Sequence, residues 1–178
     1  MLVLVVGPSG AGKDTLLHAA QAALANNPKF RFVRRVITRP AEAGGEDHEA
    51  VTDAEFQFRD FALQWSAHGW RYGIPADVVS DVADGLTVVA NVSRGVIADA
   101  MARFPTRVIE ITAPAALLAE RLSSRGRESG ADVASRLART VDLPPDLPHE
   151  TVMNDGPVEQ GVGKLLTLLI RAMADVRR

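Results

Sequence analysis

Gly7-Pro8-Ser9-Gly10-Ala11-Gly12-Lys13-Asp14 follows the apolar run Leu2 to Val6 and opens an Ala- and Leu-rich stretch, the order of a strand, a glycine loop and a helix. Closely spaced backbone N–H groups in such a loop point inward at a polyphosphate, and side chains larger than glycine would block its approach. Lys13 adds a mobile positive charge that follows the β- and γ-phosphates. The motif asks for Ser or Thr after the lysine, to place a hydroxyl on Mg²⁺. Here that place holds Asp14, and Thr15 comes next. Two readings of Asp14 stand open. Its carboxylate takes over the metal contact, or it is an acidic first-turn residue favoured by the helix dipole.

A phosphate loop alone allows an ATPase, a GTPase, a kinase or a ligase, so the cations elsewhere must choose. Arg121, Arg125, Arg127, Arg136 and Arg139 fall within nineteen residues, interrupted by Gly126 and Gly130. Arg136 and Arg139 are three apart and share a helix face. The pattern suits a hinged lid that closes positive charge over a triphosphate, the bland reading being a solvated charged face. Closure also excludes water, which separates a kinase from an unproductive ATPase. A second set comprises Arg34, Arg35 and Arg39, with Tyr72 further on, and Arg39 is the preferred ligand for an acceptor phosphate. Glu46-Asp47-His48-Glu49 lacks the spacing that turns metal ligands to one side, so His48 is read as a substrate contact or a surface residue. His18 and His149 are most simply structural, and His68 is undecided.

The elements that must hold these groups follow from periodicity. Lys13 to Ala25 is a helix stopped at Asn26-Asn27-Pro28, Phe30 to Ile37 a strand, and residues 40 to 50 a loop. Thr52 to Glu55 is a capping box, and Phe56, Phe58, Phe61, Ala62 and Trp65 fit a short helix with one packed side. Gly69 marks a turn. Leu86 to Ala90 and Val108 to Ile111 are continuous apolar runs, as expected for strands covered on both faces. Helices are expected over 93–104, 115–124, 132–141 and 158–176, with a last strand over 150–153. Strands separated by helices imply right-handed crossovers and an α/β fold of three layers around a mainly parallel sheet, with ligands at the carboxyl ends of the strands. Residues 38–75 are too irregular for that sheet and form a flap on the same domain, so residues 1–178 are one domain.

The chain has 178 residues and no cysteine, and its formal net charge is −2. That size suits one domain burying roughly 70% of its unfolded surface. The charge gives no broad basic field for nucleic acid and no basic amphipathic face for a membrane. With no long apolar run and no basic leader, a reducing cytoplasmic setting is expected.

Gly-Pro-Ser-Gly-Ala-Gly-Lys, Thr38-Arg39-Pro40, Trp65 to Tyr72-Gly73, Arg121-Leu122, Arg125-Gly126, Arg136-Leu137 and Asn154-Asp155, in this order, make the chain resemble the guanylate kinase superfamily along nearly its whole length. Where guanylate kinases place an arginine, a tyrosine and a glutamate for GMP, this chain has Glu42, His48 and Gln64. An acidic side chain would repel a phosphate, and Gln64 offers guanine no carboxylate. The acidic pair usual after the third core strand is replaced by Val89-Ala90-Asn91-Val92-Ser93-Arg94.

Gly12-Lys13-Asp14, Val36-Ile37-Thr38-Arg39, the Glu-Asp-His loop, Ala67-His68-Gly69, Ser93-Arg94, Arg125 to Glu128, Arg136 to Arg139 and Asn154-Asp155-Gly156 are instead similar to the ribose 1,5-bisphosphate phosphokinase family, with Val92 where that family places a glycine. The resemblance implies transfer of the ATP γ-phosphoryl group to ribose 1,5-bisphosphate during phosphonate breakdown, with Mg²⁺ as cofactor. It implies that Gly7 to Thr15 hold the ATP phosphates, that Lys13, Arg125 and Arg136 act on the transferred group, and that Asn154 lies near adenine. Arg39, His48, Tyr72, Ser93 and Arg94 would then hold the acceptor, and Asp14 the metal. A nucleoside monophosphate kinase and a non-catalytic guanylate-kinase-like binding module are the alternatives.

Overall fold

The computed structural model describes residues 1–43, 47–124 and 143–176. Five strands form the central sheet: β1 (Leu2–Val6), β2 (Phe30–Phe32), β7 (Thr87–Asn91), β8 (Thr106–Thr112) and β9 (Glu150–Met153). Their order is β2-β7-β1-β8-β9, and every pairing is parallel. Parallel neighbours need crossovers, which α1 (Lys13–Ala23), α4 (Ile97–Arg103) and α5 (Ala115–Ser124) provide. Chain order reverses at β1, whose neighbours β7 and β8 come later in sequence, so the crevice above β1 is where ligands gather in open α/β sheets.

Side-chain alternation along β1 sends Leu2, Leu4 and Val6 to one face and Val3 and Val5 to the other. The second face packs on Leu16 and Ala20 of α1, Leu118 of α5, and Leu165, Leu169 and Ala172 of α6 (Val158–Asp175). Leu165 and Leu169 are fully buried, each stabilising this face by roughly 2 kcal/mol. The first face packs on Val78 of α3 (Val78–Ala83) and on Ile97 and Ala100 of α4. Both faces are therefore covered, giving the expected three-layer α/β arrangement.

A second sheet projects from the first face. Its order is β4-β3-β6-β5, built from β3 (Val36–Ile37), β4 (Glu49–Ala50), β5 (Phe61–Ala67) and β6 (Trp70–Pro75). Ala62, Leu63 and Ile74 share a core with Leu2 and Leu4, so this flap is anchored in the main body. His68 (φ 53°) and Gly69 (φ 78°) form the tight turn of the β5–β6 hairpin, whose strand twist calls for two left-handed residues.

Three expectations change here. The strand expected over 30–37 is two strands in two sheets, broken at Val33-Arg34-Arg35 where the chain leaves β2 for the flap. The helix expected through Trp65 stops early: α2 (Asp53–Gln57) ends before Arg59-Asp60, and β5 follows. Beyond Phe61 a period of two prevails, with Leu63 buried, Gln64 exposed, Trp65 half-buried and Ser66 exposed. The loop expected over 40–50 contains β4, which lacks any apolar pattern: its backbone pairs with β3, and its Glu49 side chain is bound by Arg59 at 2.6 Å. The helix expected over 132–141 lies outside the described residues.

Candidate active site

The glycine loop leaves β1 at Gly7, whose φ of 145° suits glycine alone, and a Cβ there would overlap the backbone carbonyl of Ile111 on β8. Gly10 and Gly12 both take φ 84°, turning the chain into the first turn of α1. Lys13 folds back over the loop, its Nζ donating to the carbonyls of Gly7 and Pro8 at 2.9 Å each. The ammonium therefore lies over the concave side of the loop, where phosphate oxygens would replace carbonyls as acceptors. Asp14 and Thr15 are exposed at the helix entrance.

Two side chains brace the loop from behind. Arg121, in the last turn of α5, reaches the Gly10 carbonyl with Nη1 at 3.5 Å. Asn154, directly after β9, is 6% exposed and donates Nδ2 to the Ala11 carbonyl at 2.8 Å. A Cβ on Gly12 would lie 2.5 Å from that Nδ2, and one on Gly161 would lie 3.0 Å from Oδ1. The Asn154 amide, expected near adenine, is thus buried between loop and α6, where it holds the loop's backbone.

The neighbouring strand ends complete the crevice. Asn91 closes β7 and donates Nδ2 to Asp14 Oδ1 at 3.0 Å. Ser93 caps the following 3₁₀ turn by accepting from the Gly95 N–H, and Arg94 pairs with Glu110 at 2.7 Å. Both partners of that pair are less than a fifth exposed. Glu110 had no place in the sequence-based site, although a single acid inside the apolar run Val108 to Ile111 was the available signal. Among the described residues no group of three or more His, Asp or Glu side chains is gathered to hold a metal. A single carboxylate at the loop suits a hard cation that takes its remaining ligands from phosphate oxygens and water.

Across the crevice, the link from β2 into the flap presents its own cations. Arg35 donates Nη1 to the Asn91 carbonyl at 3.2 Å, and its guanidinium carbon lies 5.6 Å from the Tyr72 ring centre. Tyr72 is buried and stacks on Trp65, rings 5.3 Å apart and 6° from parallel. Arg34 turns the other way, donating to Asp47 Oδ1 at 2.9 Å and to the His48 carbonyl at 3.0 Å. His48 is 4% exposed, which removes its reading as a surface residue, and its Nε2 lies 3.0 Å from the Arg39 carbonyl, so it organises the backbone that carries Arg39. The structure thus brings Lys13, Asp14 and Asn91 together, and joins them through Arg35 to Tyr72. Arg125, Arg127, Arg136 and Arg139, and with them the expected lid over 125–139, lie outside the described residues, as does Glu46.

No protein-family model matches the chain. It is similar to the guanylate kinase of Anaplasma phagocytophilum in fold, at a TM-score of 0.71 and 17% identity, with 97% of this chain and 86% of that one covered. A bifunctional ribose 1,5-bisphosphokinase-thymidine phosphorylase of Cupriavidus necator is 48% identical over 93% of this chain, which spans 28% of that longer protein. The ribose 1,5-bisphosphate phosphokinase PhnN of Acidiphilium cryptum is 51% identical over 170 residues, 96% of this chain and 92% of its own length. With identity of that order end to end, and a phosphate loop intact at the switch point of the sheet, the chain belongs to the ribose 1,5-bisphosphate phosphokinase family.

Proposed function

We propose that this enzyme transfers the γ-phosphoryl group of ATP to the 1-phosphate of α-D-ribose 1,5-bisphosphate, giving ADP and 5-phospho-α-D-ribose 1-diphosphate, in the cytoplasm and within phosphonate catabolism. The observation that carries the choice of acceptor is the 51% identity to a protein of that name over nearly both whole chains. An acceptor phosphate oxygen forms the new bond to the γ-phosphorus while the bond to the β–γ bridging oxygen breaks, and ADP leaves with that electron pair. No general base is needed, because the acceptor's second pKa is about 6 and it is largely dianionic near neutral pH.

Catalysis then consists of aligning two polyanions and offsetting their repulsion. Backbone N–H groups from Gly7 to Thr15 cradle the donor phosphates, and Lys13 exchanges its carbonyl partners for phosphate oxygens. Asp14 would hold Mg²⁺, which supplies charge neutralisation on the donor phosphates when bound. Arg39, His48 and Tyr72 from the flap, and Ser93 and Arg94 from the strand end, form the acceptor side. Arg125 and Arg136 would close on the transferred group. Asn154 acts on the nucleotide side through the loop it braces.

The test is coupled detection of the diphosphate product from purified protein, ATP, Mg²⁺ and ribose 1,5-bisphosphate, with GMP as a parallel acceptor. Turnover with ribose 1,5-bisphosphate and little with GMP is expected, and the reverse would overturn the assignment. Arg39→Ala should raise KM for the acceptor far more than KM for ATP, whereas equal rises would undo the division of the site.

A further inference from the structure

Asn91 ends β7, the strand beside β1, and pairs in register with Val5 two residues before the glycine loop. Its backbone is held from two sides: Val92 N–H donates to the Val5 carbonyl at 3.0 Å, and Arg35 Nη1 donates to the Asn91 carbonyl at 3.2 Å. Only its side chain crosses to the loop, where Nδ2 meets Asp14 Oδ1 at 3.0 Å. An ionised carboxylate is purely an acceptor, so the NH₂ end of the amide must be the end that faces it.

We propose that Asn91 is a positioning residue for the divalent cation: it engages one oxygen of Asp14 and thereby turns the other toward the donor phosphates. This rests on the reading that Asp14 holds the cation. The ordinary loop places a hydroxyl after its lysine, and the resemblance to guanylate kinases implies an acidic pair at the end of the neighbouring strand. Here the acid stands on the loop and an amide on the strand. The pair keeps one negative charge but moves it onto the helix entrance. A carboxylate in place of the Asn91 amide would offer Asp14 no donor and would set two like charges about 3 Å apart. An alkyl group there would leave the exposed Asp14 free to rotate among staggered conformers, most of which face water.

Mn²⁺ titration of the protein–ADP complex, followed by electron paramagnetic resonance, tests this without turnover. Asp14→Asn should weaken Mn²⁺ binding about tenfold or more, and Asn91→Ala about three- to tenfold, the loss of one charge-assisted hydrogen bond. Metal-free ADP affinity should stay unchanged in Asn91→Ala. Asn91→Leu, which fills the same space without a donor, should match Asn91→Ala and serves if the smaller side chain unsettles the strand end. The double variant Asp14→Asn/Asn91→Ala should bind Mn²⁺ no more weakly than Asp14→Asn alone, because Asn91 acts through Asp14. Additive losses, or wild-type affinity in both Asn91 variants beside a weakened Asp14→Asn, would overturn the role of Asn91 and leave Asp14 as ligand. Wild-type affinity in Asp14→Asn would overturn the reading beneath it.

Discussion

The Asn154 side chain donates to the Ala11 carbonyl at 2.8 Å, while its own backbone N–H donates to the Thr112 carbonyl at 2.8 Å. One residue thereby ties the glycine loop to the strand on the far side of β1. Asn154→Ala would leave a buried carbonyl without its donor, a loss of about 1–3 kcal/mol. Urea unfolding should register that loss, and KM for ATP should rise severalfold while KM for the acceptor holds. Asn154→Asp should be worse, since its carboxylate would face the Ala11 oxygen. Full stability in Asn154→Ala would show that the brace carries no weight.

Glycines with left-handed backbone are not equivalent, and two of them separate conformational strain from collision. Gly69 has φ 78° with open space around its Cβ position, so Gly69→Ala costs only the left-handed preference, about 1–2 kcal/mol. Gly7→Ala adds overlap with the backbone carbonyl of Ile111, a residue paired with Val152 in the central sheet. Its cost should be at least twice as large by chemical denaturation, with ATP binding lost. Similar costs at both positions would mean that the sheet yields at Ile111.

Arg94 and Glu110 form a mostly buried pair at 2.7 Å, linking the turn after β7 to β8. Glu110→Ala strands a guanidinium with little water around it and should destabilise by about 2–4 kcal/mol. Replacing both partners by leucine should recover most of that stability. Activity separates the two roles of Arg94: if it also contacts the acceptor, the double variant folds well yet has a raised KM for ribose 1,5-bisphosphate. An unchanged KM would confine Arg94 to the fold.

The sheet and the loop were legible in the residues because each rests on a local pattern. Leu2 to Val6 had to be a strand covered on both faces, and Gly10 and Gly12 had to turn, whatever the rest of the chain did. The strands inside the flap were not, since they are two to seven residues long and satisfy their backbones through partners distant in sequence. Phe56, Phe61 and Trp65 fit a helical period by count, but Phe56 stacks on Phe61 at 4.3 Å across the end of α2, and Trp65 stacks on Tyr72 across a hairpin. Tertiary pairing overrode the period. In the same way Asn91 enters the sequence reading only within the run that replaces an acidic pair, and only the parallel register of β1 and β7 puts its amide against Asp14. No spacing rule connects residues 77 positions apart.

Acid should loosen the base of the flap through Glu55. This exposed residue closes a capping box: its Oε2 accepts from Thr52 N–H at 2.7 Å and Thr52 Oγ1 at 2.8 Å, and its own N–H donates to Thr52 Oγ1 at 3.2 Å. The backbone hydrogen bond from Thr52, then the hydroxyl, hold its carboxyl below the ordinary value of 4.5. A lowered pKa in the folded flap means that the unfolded flap binds the proton more readily. The contribution is therefore complete above 4.5 and lost as pH falls through the lower folded value. Because α2 places Phe56 under Arg71, 4.4 Å from the ring centre, and against Phe61, fraying there reaches β5 and β6. Amide hydrogen exchange at Glu55 and Phe56, corrected for intrinsic rates and followed from about pH 6 down to about pH 3, should show protection falling in the wild type. Glu55→Gln, which keeps an acceptor but cannot titrate, should show a flat profile at reduced protection. Parallel profiles for the two proteins would place the acid sensitivity of the flap elsewhere.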